Sequence, residues 1–469
     1  VNALASCNKL VEVTAPADNI NAANVYSTDA TAAAVLTGLY TKMSSENNFN
    51  FDRVGNLSTI YIGTGLSSDE LTLLNVSYSN FNLLYKNELT SINAPAYWEF
   101  IYPDIFTINS AIEGINGSNS LTPGVKNRLL GEAKFLRAFN YFYLVNLYGD
   151  VPLAISTDYK VNSELTRTPV SKVYDQIVAD LKDAQLLLND EYVAADIISI
   201  VGDRVRPNKP AATALLARVY LYLGSQGNTT AFTDAEAEAT QVINNTDLYD
   251  TVALEDVFLK NSREAIWQLQ PVGADMNSNT GEGKFFVLPA MQNLFTHPVY
   301  LSKAIVSSFE MGDLRKVEWV GTVNYDGTEY SFPNKYKIGQ GVSAPPTEYS
   351  TILRLAEQYL IRAEARAHLG NFLGAQEDLN VIRKRVGLPN TTAADETSLL
   401  AAIERERKLE LFTEGGHRWF DLKRTARADA VLGPVKAPTW QSTDELYPIP
   451  STEIAKSPRL QGHQNPGYQ

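Results

Sequence analysis

One cysteine and four histidines are all the thiol and imidazole in this 469-residue chain. A single Cys excludes an internal disulfide and any zinc site built on cysteine, and a multi-His centre would use most of the histidines. No apolar run approaches the ~20 residues that a membrane-crossing helix needs. Positive charge is short as well: 40 Lys+Arg face 53 Asp+Glu, a net charge of −13 at pH 7. That balance opposes binding to a phosphate backbone and argues against a nucleic-acid partner. What remains is an ordinary globular composition, 44% hydrophobic and 20% charged, which supports a large buried core. At roughly 100–200 residues per domain the length allows about two to four units or one large helical body.

The lone cysteine stands in Leu4-Ala5-Ser6-Cys7, the form of a bacterial lipobox: an apolar residue, two small residues, then the Cys that receives lipid. On this reading residues 1–6 are the remainder of a cut signal peptide and Cys7 is the lipidated residue. Buried acyl chains supply about 0.8 kcal/mol of membrane affinity per CH₂, so the protein is expected to be anchored and not to span. Val13 to Asn24, polar and without apolar periodicity, reads as an extended leader.

Helical periodicity dominates from there. Thr28 to Met43, Tyr97 to Ile115, Val125 to Leu147, Val170 to Leu188, Lys209 to Leu223, Ala235 to Asn244, Ile352 to Leu369, Leu373 to Val386 and Leu399 to Phe412 carry apolar residues at threes and fours. Two pairs look repeated. Ala211 to Gly224 with Ala235 to Asn244, and Ala356 to Gly370 with Leu373 to Val386, share spaced alanines and a Leu-Gly ending, the outline of a degenerate tetratricopeptide repeat. Arg366 stands at the usual Trp position. The insert between the pairs, Asp247 to Tyr349, is different: it holds β-like runs at Ala265 to Leu269, Val317 to Val323 and Tyr330 to Ile338 between loops rich in Asn, Gly and Pro. Repeats split by so long an insert are not expected to stack as a simple solenoid, and long loops are where a site is sought.

Motifs that suggest catalysis do not hold up. Asp69 and Glu70 are adjacent carboxylates, but sequence neighbours do not converge as an acid–base pair. Glu404 to Glu410 is a charge run that reads as a solvated or packed salt-bridged helix face. Gly63-Thr64-Gly65 lacks the rest of a dinucleotide fingerprint and reads as a loop.

The most specific signal lies near the C-terminus. Glu404-Arg405-Glu406-Arg407-Lys408-Leu409-Glu410-Leu411 runs into Phe412-Thr413-Glu414-Gly415-Gly416-His417-Arg418-Trp419-Phe420-Asp421-Leu422-Lys423-Arg424, and the chain closes through Leu446-Tyr447-Pro448-Ile449-Pro450 and Gln464-Asn465-Pro466-Gly467-Tyr468. This reads as a charged helix, an Arg-Trp/Asp-Leu turn packed on the body and a proline-fixed tail. Together with Cys7-Asn8, Ser68-Asp69-Glu70, the helix of Trp98, Tyr102, Ile105 and Asn109, the stretch from Arg137-Ala138 to Tyr148-Gly149-Asp150-Val151-Pro152-Leu153, Asp313-Leu314-Arg315-Lys316 and Arg354-Leu355-Ala356-Glu357, these segments resemble the SusD/RagB family of outer-membrane lipoproteins of the Bacteroidota. Two local departures are a second Gly before His417 and Ser457-Pro458 where Asn-Pro is common. The chain also looks short for the family, which points to a trimmed binding-face insert.

The resemblance implies a mainly α fold in which tetratricopeptide-like helix pairs form a scaffold beside an irregular, loop-rich and short-strand ligand-binding region. It divides the chain into a helical SusD-like part, 7–245, and a C-terminal RagB/SusD part, 246–469, within a single compact body. It implies a non-enzymatic surface protein that captures oligosaccharide or polysaccharide, with no cofactor or metal, and lids a SusC-like TonB-dependent transporter in the outer membrane. A peptide or other nutrient lid of the same build is the alternative, and a glycoside hydrolase is the weakest class because no carboxylate pair is nominated. The acidic balance gives a mild preference for a neutral glucan.

Sugar capture needs flat apolar rings to stack on pyranose C–H faces, with amides and charges at the edge for the hydroxyls. Two clusters interleave these residue types outside the family motifs. The first holds Tyr78, Asn80, Phe81, Asn82 and Tyr85; the second holds Asp275, Asn277, Phe285, Phe286, His297 and Tyr300. For each aromatic the competing reading is ordinary core packing. Among the five tryptophans, Trp98 and Trp419 belong to family motifs and Trp267 to an apolar run, leaving Trp319 and Trp440 as open candidates; Trp319 is expected two strand positions from Val317 and facing solvent.

Overall fold

The computed structural model describes residues 25–44, 56–272, 279–289, 297–339 and 346–468. Cys7 and the rest of the lipobox, Asp275 and Asn277 lie outside them. The chain is mainly helical. The amino-terminal half runs α1 (Asp29–Ser44), α2 (Leu57–Ser67), β1 (Leu71–Leu73), α3 (Ser79–Lys86), α4 (Tyr97–Gly117), α5 (Pro123–Tyr148), α6 (Val170–Leu187), α7 (Lys209–Ser225) and α8 (Ala231–Ile243). Then come β2 (Ala265–Leu269), α9 (Gly281–Phe286), β3 (Val299–Leu301), β4 (Val320–Tyr325), β5 (Thr328–Pro333) and β6 (Ser350–Arg354). The chain finishes with α10 (Leu355–His368), α11 (Phe372–Arg385), α12 (Glu396–Glu410), α13 (His417–Arg424), α14 (Ala428–Val435) and α15 (Ser451–Lys456).

The helices start where side chains satisfy the first orphan amides. Asn208 caps α7 through a bond from the Ala211 amide at 3.0 Å, with Pro210 in the first turn. Asp395 and Ser398 cap α12 reciprocally. Successive helices of the scaffold are then joined by bidentate arginine pairs. Arg137 holds Asp180 between α5 and α6 at 2.8 and 2.7 Å. Arg218 holds Glu357 between α7 and α10 at 2.6 Å through both nitrogens. Arg362 holds Asp378 between α10 and α11 at 2.9 and 2.7 Å. Each pair is buried, so its fork geometry has to satisfy both partners; removing one alone costs about 3–5 kcal/mol.

The two repeated hairpins, α7–α8 and α10–α11, do stack, because β2 and β6 at the two ends of the insert pair antiparallel and bring its ends together. Phe232 of α8 lies on His368 of α10 with ring centroids 4.1 Å apart, and Arg366, at the expected Trp position, pairs with Glu236 at 2.7 Å and Asp378 at 2.9 Å. The Leu-Gly endings differ in purpose. Gly370 takes φ +78° after α10, a left-handed termination. Gly224 lies inside α7, where a Cβ would meet the Phe232 ring at 2.5 Å, so it admits the next helix.

The core centres on Trp267, fully buried with Phe135 and Phe139 edge-on at 4.9 and 5.3 Å. Such pairs add about 0.5–1.5 kcal/mol each beyond area burial.

Three readings are corrected here. Gly63-Thr64-Gly65 is not a loop but part of α2, buried along its whole length; a Cβ at Gly63 would strike the Tyr97 hydroxyl at 2.0 Å, so glycine serves close packing. The segment Ile352 to Arg354 is strand, and helix begins at Leu355. The Arg-Trp/Asp-Leu segment is the helix α13, and both preceding glycines take positive φ, +58° at Gly415 and +72° at Gly416, which the second Gly accommodates.

The charge run of α12 is packed, not solvated. Glu406, Arg407 and Glu410 are buried. Glu410 receives Arg315 at 3.1 Å, Arg354 at 2.7 Å and Arg385, and Arg354 also takes Glu264 at 2.8 Å and Glu414 at 2.7 Å. The expected Glu404–Lys408 pair is replaced by tertiary partners: Lys408 binds Asp69 at 3.1 Å, and Glu404 binds Arg418 at 3.3 Å and Arg427.

Candidate functional site

The insert and the amino-terminal half meet at a small sheet. β1 and β3 pair antiparallel with Thr72 opposite Tyr300, and β3 packs against the hairpin β4–β5. The hairpin turns at Asp326-Gly327, both left-handed at φ +48° and +75°, a two-residue connection suited to strand twist. Its register sets Gly321 opposite Phe332, Val323 opposite Tyr330 and Tyr325 opposite Thr328. Residues opposite one another share a face, so Val323, Tyr325, Tyr330 and Phe332 form one apolar side. That side meets Leu74, Val287, Leu288 and Tyr300. Gly321 is needed because a Cβ there would enter the Phe332 ring at 2.3 Å.

This packing leaves tyrosines half-buried with their rings grouped. Tyr300 and Tyr330 meet edge-on at 5.2 Å and 84°. Burial raises the Tyr300 phenol, Tyr85 and Tyr330 nearby raise it further, and a hydrogen bond with Thr72 opposes them. Tyr85 projects from α3, where Phe81 and Leu84 point inward and Asn82 and Tyr85 remain half-buried. Under Tyr85 lies the Lys436 ammonium, 4.2 Å from the ring centroid. Asn75, in the loop after β1, accepts from the Ser77 amide at 2.9 Å and hydroxyl at 2.7 Å.

The structure thus brings Tyr85 of the first cluster to Tyr300 of the second, with Asn82 alongside Tyr85 on α3. Tyr325 and Tyr330 join them and were not nominated; the signal for them was the Asp-Gly pair between runs alternating at Val323, Tyr325, Tyr330 and Phe332. Tyr78 is half-buried against Phe81, ring centroids 6.1 Å apart, and Asn80 is half-buried on α3. Phe81, Phe285, Phe286 and His297 are buried, so as platform rings they are corrected: α3 and α9 are short helices whose inward faces need apolar anchors.

Trp319 is corrected too. Its run begins as the helical turn Arg315–Glu318, not as a strand. The indole is fully buried, donates to the Leu254 carbonyl at 3.0 Å, and has the Lys335 ammonium over its face at 4.8 Å. Trp440 is half-buried, edge-on to Trp419 and bonded to Asp429.

The adjacent carboxylates are structural. Asp69 receives both prongs of Arg418 at 2.6 and 3.1 Å and Lys408 at 3.1 Å; burial opposes its charge, but these partners draw its carboxyl down to about 2. Glu70 accepts only the Thr413 amide at 3.1 Å among its printed bonds, and burial pushes it up to about 8. Among the described residues no group of three or more His, Cys, Asp or Glu is placed to hold a metal ion, and no helix is long and apolar enough to cross a membrane.

Two comparisons of sequence and one of structure bear on this arrangement. Residues 64–221 match a SusD-like family described as starch-binding and associating with the outer membrane, and residues 321–468 match the SusD family. A SusD-like protein P2 of Formosa agariphila is 26% identical, over 99% of this chain and 97% of the relative. A SusD-like protein of Bacteroides ovatus is 24% identical, over 89% of this chain and 79% of the relative. Among solved structures, a laminarin-binding SusD-like protein superposes with a TM-score of 0.76 at 24% identity, covering 94% of this chain and all of that one. A SusD superfamily protein of Parabacteroides distasonis gives 0.76 at 23%, covering 93% and 99%.

Proposed function

The chain belongs to the SusD/RagB family, whose members are binding proteins and not enzymes, and we propose that it captures glycan at the cell surface on the Tyr85–Tyr300–Tyr330 face. The observation that carries this reading is the meeting of three half-buried tyrosines from three separate elements, α3, β3 and β5, beside the half-buried amide of Asn82. Ring faces of this kind stack on pyranose C–H groups, and amides at the edge take hydroxyls. A named glucan binder of the same fold, the laminarin-binding neighbour, supports the ligand class.

In this reading the protein is held at the outer membrane by lipid on Cys7, hands its cargo to a SusC-like TonB-dependent transporter, and favours neutral glucans. The net charge of −13 supports the last point, since an anionic polymer meets general repulsion unless basic side chains line the site. The scaffold helices supply a rigid base, and the site itself is built on short elements of the insert.

Native affinity electrophoresis of the chain after Cys7 tests the reading, through gels carrying neutral or acidic polysaccharides, with a parallel assay for reducing ends. Retardation by a neutral glucan without release of sugar is expected. Absence of retardation in every gel, with binding of peptide instead, would replace glycan by peptide cargo, and released sugar would overturn the binding-only role.

A further inference from the structure

A second concavity lies away from the tyrosine face, between α4, the segment 152–165 and the C-terminal stretch 453–460. Its volume is about 280 Å³, at the lower edge of the roughly 300–1,000 Å³ of small-molecule pockets, and so fits one ring better than a chain.

The sequence builds it from segments that pass each other closely. Residues 152–157 run along α4, with Tyr102 donating to the Pro152 carbonyl at 2.8 Å, Asn109 to the Ala154 carbonyl at 3.0 Å, and Glu113 accepting the Thr157 amide at 2.8 Å. The helical turn Tyr159–Asn162 folds back over the opening, and Arg459 bonds Glu164 at 2.9 Å across the rim. Aromatic surface lines one side: Trp98 and Tyr102 rings lie 4.7 Å apart, and Phe106, 54% exposed, extends that surface to solvent.

The other side is polar in a particular way. Asn162 donates its amide hydrogen to the Ser156 carbonyl at 2.9 Å, which fixes its orientation. Its Oδ1 is buried and has no hydrogen-bond partner among the described residues. Lys456 and Glu453 pair at 2.7 Å on the rim, giving a donor and an acceptor with no net charge. A purely apolar occupant would leave Asn162 Oδ1 unsatisfied, which is costly. A polyhydroxylated ring satisfies it: one hydroxyl donates to Oδ1, others reach the Lys456–Glu453 pair, and the C–H face lies on Tyr102 and Phe106.

We infer that this cavity is a separate saccharide site, taking a single neutral pyranose through Phe106, Tyr102 and the unpaired oxygen of Asn162. It shares no lining residue with the tyrosine face, and nothing in its chemistry depends on that face.

Saturation-transfer NMR on the folded chain, with methyl α- and β-glucosides and galactosides as probes, tests it. Transfer to the ring protons of at least one glycoside is expected. Phe106→Ala with Asn162→Ala should reduce that transfer about fivefold or more, while Tyr300→Ala with Tyr330→Ala should retain it. Equal transfer in the cavity variant, transfer abolished by the tyrosine variant alone, or no transfer from any glycoside would overturn the site. Phe106→Ala alone, at a half-exposed position, keeps the test valid if the double variant loses its melting transition. Retained transfer together with no polysaccharide retardation in the gels would sustain this site and remove the tyrosine-face reading.

Discussion

The ammonium of Lys436 donates to the carbonyl oxygens of Tyr85, at 2.9 Å, and Leu66, at 2.7 Å, while lying against the Tyr85 ring. A residue from the C-terminal region therefore fastens the last turn of α3 to the end of α2 and sets the height of one tyrosine of the binding face.

Replacing this lysine tests that linkage. Burial pulls its ammonium down to about 7, with the Asp69 charge pulling the other way. Between about pH 7 and 10.5 the unfolded chain binds more protons than the folded one, so this group makes stability rise with pH across that window. Lys436→Met is expected to lose that rise and, by leaving two carbonyls without their donor, to cost about 2–3 kcal/mol at neutral pH. Denaturant midpoints at pH 7 and pH 10 measure both; a variant as stable as the wild type, with the same pH slope, would contradict the linkage.

Glu70 gives the opposite sign. Its folded-state value of about 8 lies above the ordinary 4.5, chiefly through burial, so from about pH 4.5 to 8 the folded chain keeps a proton that the unfolded chain releases. Stability from this group is present at low pH and declines as pH rises through that window. Glu70→Gln keeps the shape and removes the titration. Its midpoint should fall less than that of the wild type between pH 5 and pH 8; parallel declines would show that Glu70 is not the titrating group.

On the binding face, Tyr300→Ala or Tyr330→Ala should weaken retardation by a bound polysaccharide about five- to tenfold, from the ~1–1.5 kcal/mol of a ring contact. Both side chains are half-exposed, so melting temperatures should change little. Unaltered migration of both variants in the retarding gel would remove these rings from the site.

Phe81 and Trp319 should behave as core residues. At 2% and 0% exposure, each truncated to Ala is expected to cost about 3–5 kcal/mol, seen as a large drop in melting temperature. Trp319 adds the loss of its bond to Leu254 and of its contact with the buried Lys335. Loss of glycan retardation at wild-type stability would return either ring to the binding surface.

The long scaffold helices were legible because each is amphipathic and capped: the reading at Val170 to Leu188 differs from the observed helix by one residue. α2 was not, since a helix buried on every side has no polar stripe to reveal its period. α3 was read as loop because eight residues carry only two inward anchors, Phe81 and Leu84. The same ambiguity hid the burial of Phe285, Phe286 and Trp319. A ring in a short, amide-rich segment looks the same in sequence whether it caps a core or faces a ligand.

By itself the sequence determined the helical scaffold, its repeated hairpins, the absence of cysteine-based chemistry and the family. Those rest on periodicity, composition and ordered motifs, which are properties of the chain read along its length. The tertiary structure alone decided that α12's charges are buried with Arg315, Arg354 and Arg385, that the repeats stack through the β2–β6 closure, and that Tyr85, Tyr300 and Tyr330 share one face. Each of these depends on residues tens to hundreds of positions apart, and no local pattern records which buried charge finds a partner or which ring stays at the surface.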